Sequence, residues 1–199
     1  MTLVRPGGPV LKAPMARIAE GRAATSTTFY NIPGNSVGAQ TVFTIIVNTL
    51  YHFPMHVATQ ITLDQLALEV TTGVASTNIR MGIYDANASW QPVNLVVDAG
   101  TVATATTGVK TVAVTNALSP GRYLLVFVSD GGPALRIISL GVNGAPLLDT
   151  LGASPAQTRW NRAFTYAALP ATGTDWDTAA SADTSGAGHA MMFVRILTP

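Results

Sequence analysis

Two histidines are the first residues whose types and spacing could do chemistry. His52 and His56 stand four residues apart, the spacing that binds zinc on a helix when a glutamate follows the first histidine. That glutamate is missing, and the surrounding residues are typical of a strand, where side chains four apart lie about 13 Å from each other. We therefore expect no shared metal ion and interpret both histidines as ordinary surface or interface side chains.

Three aspartates form the second candidate, because carboxylates in a glycine-rich loop can bind calcium. Asp175, Asp177 and Asp183 lie in the segment GTDWDTAASADTSGAG, which opens with the Asp-x-Asp pattern of an EF-hand loop. The later positions of such a loop need an oxygen ligand, a glycine and a glutamate, but here they hold alanine, alanine and glycine. We interpret the segment as a solvated loop, and an irregular calcium site completed by distant loops stays open.

Several enzyme classes lack their characteristic residues in this chain. There is no cysteine, which excludes both a thiolate nucleophile and a disulfide framework. No phosphate-binding P-loop and no dinucleotide-binding G-x-G-x-x-G motif is present. The only glutamates are Glu20 and Glu69, so a glycosidase would have to use two aspartates. We therefore expect no enzymatic activity, no cofactor and no metal, and keep an aspartate-based glycan hydrolase as the third alternative.

The three tryptophans matter because exposed indoles contact sugars and proteins. Trp90, Trp160 and Trp176 all fall in predicted loops. We expect Trp90 and Trp160 to plug the ends of the fold. Trp176 lies between Asp175 and Asp177, and this group is the best candidate for an exposed contact with a ligand or a partner.

The composition predicts one domain with few surface charges. Charged residues make up 11% of the 199 residues, against about 25% in an average soluble domain. This difference indicates that other protein covers part of the surface. The net charge of +1 argues against nucleic acid as the main partner. No apolar run is long enough for a signal peptide or a membrane span, so we expect a soluble protein.

Residues 1–24 differ from the rest of the chain. They contain Arg5, Lys12, Arg17 and Arg22 but a single acid, Glu20, whereas residues 25–199 are slightly acidic. Three prolines break any helix, and glycines loosen the chain. We predict an extended N-terminal arm, followed by one β-sandwich domain over residues 25–199, and expect the four basic residues of the arm to bind another protein.

Eight to ten short strands separated by turn residues predict an all-β fold, an antiparallel β-sandwich of jelly-roll type. Residues 79–128 form its centre, and residues 122–129 are apolar on both sides, which predicts a strand in the middle of a sheet. In residues 61–70 the apolar alternation changes phase at Asp64 and Gln65, so we predict a β-bulge there.

Other strand boundaries follow from turn residues and apolar runs. The run 42–47 predicts a strand buried on both faces or at an interface, and Pro54 places residues 50–57 at a sheet edge or a bulge. Further predictions are a strand that ends at residues 98–100, a strand pair 101–105 and 110–115, and a short strand 163–167.

Several of these turn and strand motifs resemble a known domain. The motifs are GIYDAN (82–87), WQP (90–92), LVVDAGTV (95–102), TGVK (107–110) and LSPGRY (118–123). Together they look like a β-sandwich domain that recurs in structural proteins of tailed bacteriophages, both in capsid decoration and head-fibre proteins and in tail-protein modules. The likeness covers about residues 40–198 and carries over no catalytic residue.

The resemblance implies a non-enzymatic virion structural protein. The first expectation is a capsid decoration or cement protein on the capsid surface, which binds the major capsid protein or other virion proteins through its arm. It would self-associate as a homo-oligomer, with a trimer favoured, and would bind neither nucleic acid nor a membrane. The alternative is a tail-associated receptor-binding or carbohydrate-binding module with a host glycan as its ligand.

Overall fold

The computed structural model describes residues 30–31, 40–88, 90–138, 160–173, 189–190 and 192–197. These residues form twelve strands, and no helix among them is long and apolar enough to cross a membrane. The strands are β1 (Tyr30–Asn31), β2 (Gln40–Thr44), β3 (Thr49–Val57), β4 (Ile61–Thr72), β5 (Asn78–Ala86), β6 (Pro92–Ala103), β7 (Gly108–Leu118), β8 (Gly121–Ser129), β9 (Ala134–Ile138), β10 (Trp160–Ala163), β11 (His189–Ala190) and β12 (Phe193–Leu197).

The strands form an antiparallel β-sandwich, as predicted. Strands β2 to β9 make two four-stranded layers, β2-β9-β4-β7 and β3-β8-β5-β6. The chain changes layer at every connection except the β5–β6 hairpin, which is the connectivity of a jelly roll. Strands β1, β11 and β12 extend the first layer to seven strands, and β10 extends the second to five. The arm predicted over residues 1–24 lies outside the described residues.

The core lies between the two sheets and follows the alternation of the sequence. Ile79, Met81 and Ile83 of β5 point into it and are fully buried, as the pattern predicts. Phe127 of β8 stacks on two aromatic rings of β3, with ring centroids 5.0 Å from Tyr51 and 5.7 Å from Phe53. These residues share one core cluster with Leu63, Leu66 and Leu68 of β4 in the other sheet, so side chains that the period of two selects join the sheets.

The predicted bulge in β4 is confirmed. Between Leu63 and Gln65 the register with the neighbouring strands shifts by one residue. Leu63 on one side of the shift and Leu66 on the other are consequently both buried in the same core. Asp64 turns outward and accepts a hydrogen bond from Arg195 Nε at 2.6 Å. The extra residue keeps the apolar side chains inside and presents one carboxylate outside.

Strand β8 occupies the middle of the five-stranded sheet, as predicted, and is buried on both sides. Its outer side contributes Leu124, Val126 and Val128 to a second apolar cluster, which also contains Leu50 and Tyr84. This cluster lies on the face of the sheet that points away from the core. Something must cover it, because a face this apolar is unstable in water.

The cover is a strap, which we define as residues 164–173. It leaves β10 at one edge of the five-stranded sheet and reaches β6 at the other edge. The backbone N–H of Phe164 donates to the carbonyl of Asn48 at 2.8 Å, and the N–H of Gly173 donates to the carbonyl of Val93 at 2.8 Å. Midway, the hydroxyl of Tyr84 donates to the carbonyl of Pro170 at 2.6 Å. The strap thus links both edges of the sheet.

Leu169 is the apolar contact that seals the strap onto the sheet. It is 5% exposed and packs over Gly82 of β5. A Cβ atom at position 82 would lie 2.4 Å from Cδ1 of Leu169 and 2.7 Å from the carbonyl oxygen of Val97. Glycine is required at this position because any side chain would displace Leu169.

Several predicted strand boundaries were wrong, each for an identifiable reason. Strand β6 does not end at residues 98–100, because the glycine there forms a bulge: Gly100 has φ of 79° and the register shifts by one residue. The predicted pair 101–105 and 110–115 is not a hairpin, since β6 and β7 lie in different sheets. The short strand expected at 163–167 is β10, residues 160–163.

Strand β3 accommodates Pro54 at a place where pairing is one-sided. β10 pairs with β3 only at residues 49–52, whereas β8 pairs along 51–57. Pro54 therefore lies beyond the last residue that pairs with β10 among the described strands. The lost N–H donor of a proline is tolerated at such a position, as the sequence predicted.

Candidate functional site

The jelly-roll connectivity gathers the loops at two opposite ends of the sandwich. The connections β2–β3, β4–β5, β6–β7 and β8–β9 lie at one end, which we name the apolar end. The connections β3–β4, β5–β6 and β7–β8 lie at the other, which we name the polar end. Strand β3 runs from one end to the other, so the two are about 25 Å apart.

The apolar end exposes large β-branched side chains. Ile46 is 56% exposed, Val47 45% and Val109 58%. Val74 lies at the same end, and Val42 of the adjoining strand β2 is 49% exposed. The burial within the chain that the run 42–47 led us to expect was therefore wrong for most of its residues, with Ile45 the buried exception at 2%. The other alternative, that this run lies at an interface, stays a prediction.

The β2–β3 loop is fixed in the conformation that turns these side chains outward. Asn48 has φ of 55°, a left-handed conformation that asparagine tolerates better than most residues. Its N–H donates to the carbonyl of Ser129 at 3.0 Å. The N–H of Ile46 donates to the hydroxyl of Tyr51 at 2.9 Å. With Ile45 inserted in the core, the next two side chains have no room inside.

The remaining loops of the apolar end are tied to one another. The buried hydroxyls of Thr77 and Thr104 are 2.6 Å apart, and Thr77 Oγ1 donates to the carbonyl of Val74 at 2.7 Å. The N–H of Asn78 donates to Asp130 Oδ1 at 2.6 Å. These bonds join the β4–β5, β6–β7 and β8–β9 connections. The exposed apolar groups are thus held on a preorganised surface.

The polar end is built around the β5–β6 loop, residues 87–91. The N–H of Asn87 donates to the carbonyl of Gln91 at 3.0 Å, and the N–H of Gln91 donates back to Asn87 Oδ1 at 3.0 Å. The strand ends are joined by Asp85, which accepts from both the backbone and the side-chain amide of Asn94. Reciprocal bonds of this kind are typical of Asx turns.

Trp90 is held in this loop in a conformation that costs energy. Its φ is 62°, which is unusual for a bulky residue and costs about 1–2 kcal/mol. Trp90 was expected to plug an end of the sandwich; it lies at the polar end, where its indole rests against the second apolar cluster on the outer face of the five-stranded sheet. Its ring centroid lies 5.3 Å from the guanidinium carbon of Arg122, a cation–π contact.

Arg122 differs from three other arginines of the sheets in its partners. Each of those donates from Nε and from a terminal nitrogen to one carboxylate; the pairs are Arg80–Asp98, Arg136–Glu69 and Arg195–Asp64. The hydrogen bonds with Asp64 raise the pKa of Arg195. Arg122 has no carboxylate within ion-pair distance among the described residues, and it donates instead to the carbonyl of Ala88.

The two histidines do not form a site with each other. His52 is 5% exposed, so it is a buried residue and not the surface side chain expected. His56 is partly exposed and is the cross-strand partner of Arg122. No group of three or more histidine, cysteine, aspartate or glutamate side chains suited to a metal ion exists in the part of the chain that the structure describes.

The buried tyrosines act as hydrogen-bond donors. Burial, reinforced by the charge of Asp98, raises the pKa of Tyr84 well above its usual value of 10.0. Burial also raises the pKa of Tyr123, whose hydroxyl donates to the carbonyl of Ser119 at 2.8 Å. A tyrosine that serves as a general base needs its pKa lowered, so both residues have the properties of structural donors.

Other residues singled out in the sequence lie outside the described residues. They are the arm residues Arg5, Lys12, Arg17 and Arg22, and the loop residues Asp175, Trp176, Asp177 and Asp183. The pentapeptide GNSVG at 34–38 has the letters of a G-x-S-x-G nucleophile elbow and lies outside them too. Trp160 belongs to β10 and not to a loop.

Comparisons with known proteins identify no family. No protein-family model and no curated protein matches the chain. Among solved structures, the chain matches the clostridial cysteine protease Cwp84 after propeptide cleavage, at 10% sequence identity and a TM-score of 0.47. The match covers 84% of this chain and 42% of that chain, so this chain spans less than half the length of the protein it matches. A likeness at this level carries no argument about function.

Proposed function

We propose that this chain is a non-enzymatic virion structural protein that works by adhering to other proteins, with capsid decoration as its role. The observation that carries the proposal is the apolar end. Ile46, Val47 and Val109 are about half exposed, and hydrogen bonds fix the loops at this end. Preorganised apolar surface of this kind is a mark of protein interfaces, since it is otherwise a liability in water.

The partners follow from the charge distribution. No Asp, Glu, Lys or Arg occurs between positions 23 and 63, which includes β2 and the β2–β3 loop. A segment without charges tolerates a copy of itself, because no like charges from this segment meet across the interface. Self-association through the apolar end, with the basic residues Arg5, Lys12, Arg17 and Arg22 directed to acidic shell subunits, is the arrangement that we propose.

The experiment is a sedimentation-velocity measurement on the full chain and on the double variant Ile46→Asp/Val47→Asp. We expect the wild type to sediment as an oligomer and the variant to dissociate at least tenfold more readily, because two charges would be buried in the contact. Val93→Asp at the polar end is the matched control, since Val93 is 37% exposed. A monomeric wild type would contradict the proposal.

The role on the particle needs a separate measurement. Particles that lack the protein would be incubated with the full chain or with the charge-reversed arm variant, in which Arg5, Lys12, Arg17 and Arg22 become Glu. Co-sedimentation of the wild type alone is the expected result. Equal binding of both proteins would remove the arm from the proposal.

A further inference from the structure

The polar end contains a cation whose charge no acid in the described part of the chain compensates. Arg122 donates to the carbonyl of Ala88 and lies against the indole of Trp90. Both contacts orient the guanidinium without neutralising it. A guanidinium has five N–H donors in one plane, so several donors of Arg122 stay available to a ligand. We infer that Arg122 and Trp90 together form a binding site for the carboxylate of an acidic saccharide.

The backbone of the loop supports a ligand site rather than a simple turn. A turn that needs positive φ is normally made with glycine, asparagine or aspartate. Here the residue with φ of 62° is Trp90, while Asn87 and Gln91 brace it from both sides. The strain places an indole beside Arg122, and strained residues held by their surroundings concentrate at binding sites. The site is therefore set before a ligand arrives, which lowers the entropic cost of binding.

A carboxylate fits the cation better than other groups. Carboxylate oxygens accept two parallel N–H donors from a guanidinium, the arrangement that Arg80, Arg136 and Arg195 already show within this chain. His56 is the cross-strand partner of Arg122 and lies on the same side of the sheet. The nearby carboxylate of Asp85 is engaged by the two amide groups of Asn94.

The surroundings favour a saccharide over a protein or a lipid as the bearer of that carboxylate. Among the described residues, Val93 is the one strongly exposed large apolar side chain at this end, whereas the others lie at the apolar end or on the adjoining β2. A protein interface or a membrane would need a wider apolar area. A sugar ring needs an apolar contact with polar groups beside it, and the partly buried indole with the guanidinium over its ring supplies both. The inference does not depend on the proposed role in the virion.

The test is a titration of the full chain with a glucuronic acid oligosaccharide and with the glucose oligosaccharide of the same length. We expect the acidic sugar to bind at least tenfold more tightly. Arg122→Gln should weaken that binding by about tenfold or more, the usual effect of losing a charged hydrogen bond. Arg122→Lys keeps the charge but not the planar pair of donors, so we expect only partial recovery.

Two further variants separate a binding site from a general effect of charge or folding. Trp90→Gly removes the indole but accepts positive φ, so it should fold and lose binding to a similar degree. Lys110→Gln is the matched charge control, because Lys110 also lacks a carboxylate partner among the described residues but lies on β7, where its Nζ donates to Thr106 Oγ1 at 2.6 Å. It should bind as the wild type does. Equal affinity for the neutral sugar, no binding of either sugar, or unchanged binding by folded Arg122→Gln would overturn the inference.

Discussion

Both ends of the sandwich hold non-glycine residues in the left-handed conformation, and the comparison is instructive. At the apolar end Asn48 has φ of 55° and Ser76 has φ of 59°, and at the polar end Trp90 has φ of 62°. Asparagine adopts this conformation at little cost, and Oδ1 of Asn48 also accepts the N–H of Tyr166 at 2.9 Å. Tryptophan pays the full energetic cost of this conformation, because its side chain is bulky and makes no such local hydrogen bond. Asn48 suits its backbone conformation, whereas Trp90 is held in an unfavourable one by its contacts with the second apolar cluster and with Arg122.

The two ends also differ in the chemistry of the side chains at their surface. The apolar end exposes aliphatic side chains on loops that hydrogen bonds join to one another. The polar end covers its aliphatic side chains but leaves the charge of Arg122 uncompensated among the described residues. The two ends of one domain therefore differ in surface chemistry, and they lie about 25 Å apart along β3.

The strap connects the two ends, and cutting its apolar anchor has the largest expected effect. Leu169→Ala should lower the free energy of unfolding by about 2–4 kcal/mol, because a fully packed leucine leaves a cavity over Gly82. Urea denaturation followed by circular dichroism measures this change. Thr165→Ala, at an exposed position of the same strap, is the control and should stay within about 0.5 kcal/mol of the wild type. A loss below about 1 kcal/mol would mean that the strap is not part of the cooperative fold.

Asn48, one of the left-handed residues of the apolar end, allows a test with a smaller expected effect on stability. Asn48→Ala loses the bond to the N–H of Tyr166 and adds backbone strain, so it should cost about 2 kcal/mol. Asn48→Gly loses the same bond without strain and should cost about 1 kcal/mol less than alanine. The measurement is the midpoint of urea denaturation for both variants. If the Asn48→Ala variant proves as stable as the Asn48→Gly variant, the surrounding structure does not enforce the left-handed conformation at position 48.

The hydrogen bond midway along the strap predicts a dependence on pH. Burial raises the pKa of Tyr84, so the folded protein keeps this proton at pH values where the unfolded chain loses it. The resulting stability is fully present below the unfolded pKa of 10.0 and is lost as the pH rises above it. Tyr84→Phe should cost about 1 kcal/mol at neutral pH, because the bond to Pro170 is lost.

The informative comparison is the decline in stability of the two proteins above pH 10. Tyr84→Phe should decline less steeply than the wild type, and the remaining slope should reflect Tyr123 and Tyr166, whose pKa values burial also raises. Denaturation curves at pH 9, 10 and 11 would measure both slopes. Identical slopes would show that Tyr84 ionises as freely in the folded protein as in the unfolded chain.

The alternation of apolar residues made much of the architecture predictable. It placed Ile79, Met81 and Ile83 in the core, β8 in the middle of a sheet, and the bulge at Asp64. These are properties of a single strand, because alternate residues along a strand point to opposite faces of the sheet. The bulge was visible for the same reason, because one extra residue shifts the phase of the alternation.

Turn residues were less reliable, because one residue type serves two geometries. Gly100 marks a bulge inside β6 and not the end of a strand, although glycine with positive φ suits both. Likewise, the β6–β7 connection looked like a hairpin but crosses between the sheets. Which sheet a strand joins depends on which strand edges remain unpaired after the other strands have formed.

What the sequence by itself determined is the all-β class and the faces that strands such as β4, β5 and β8 bury, since these depend on neighbours one or two residues away. Only the tertiary structure decided that a strap covers the outer face of one sheet, that Ile46 and Val47 remain exposed, and that Trp90 lies over Arg122, 32 positions further along the chain. Those contacts join distant parts of the chain, and no local pattern encodes them. Packing of whole elements sets them, because each element must bury its apolar face against whichever surface the others leave.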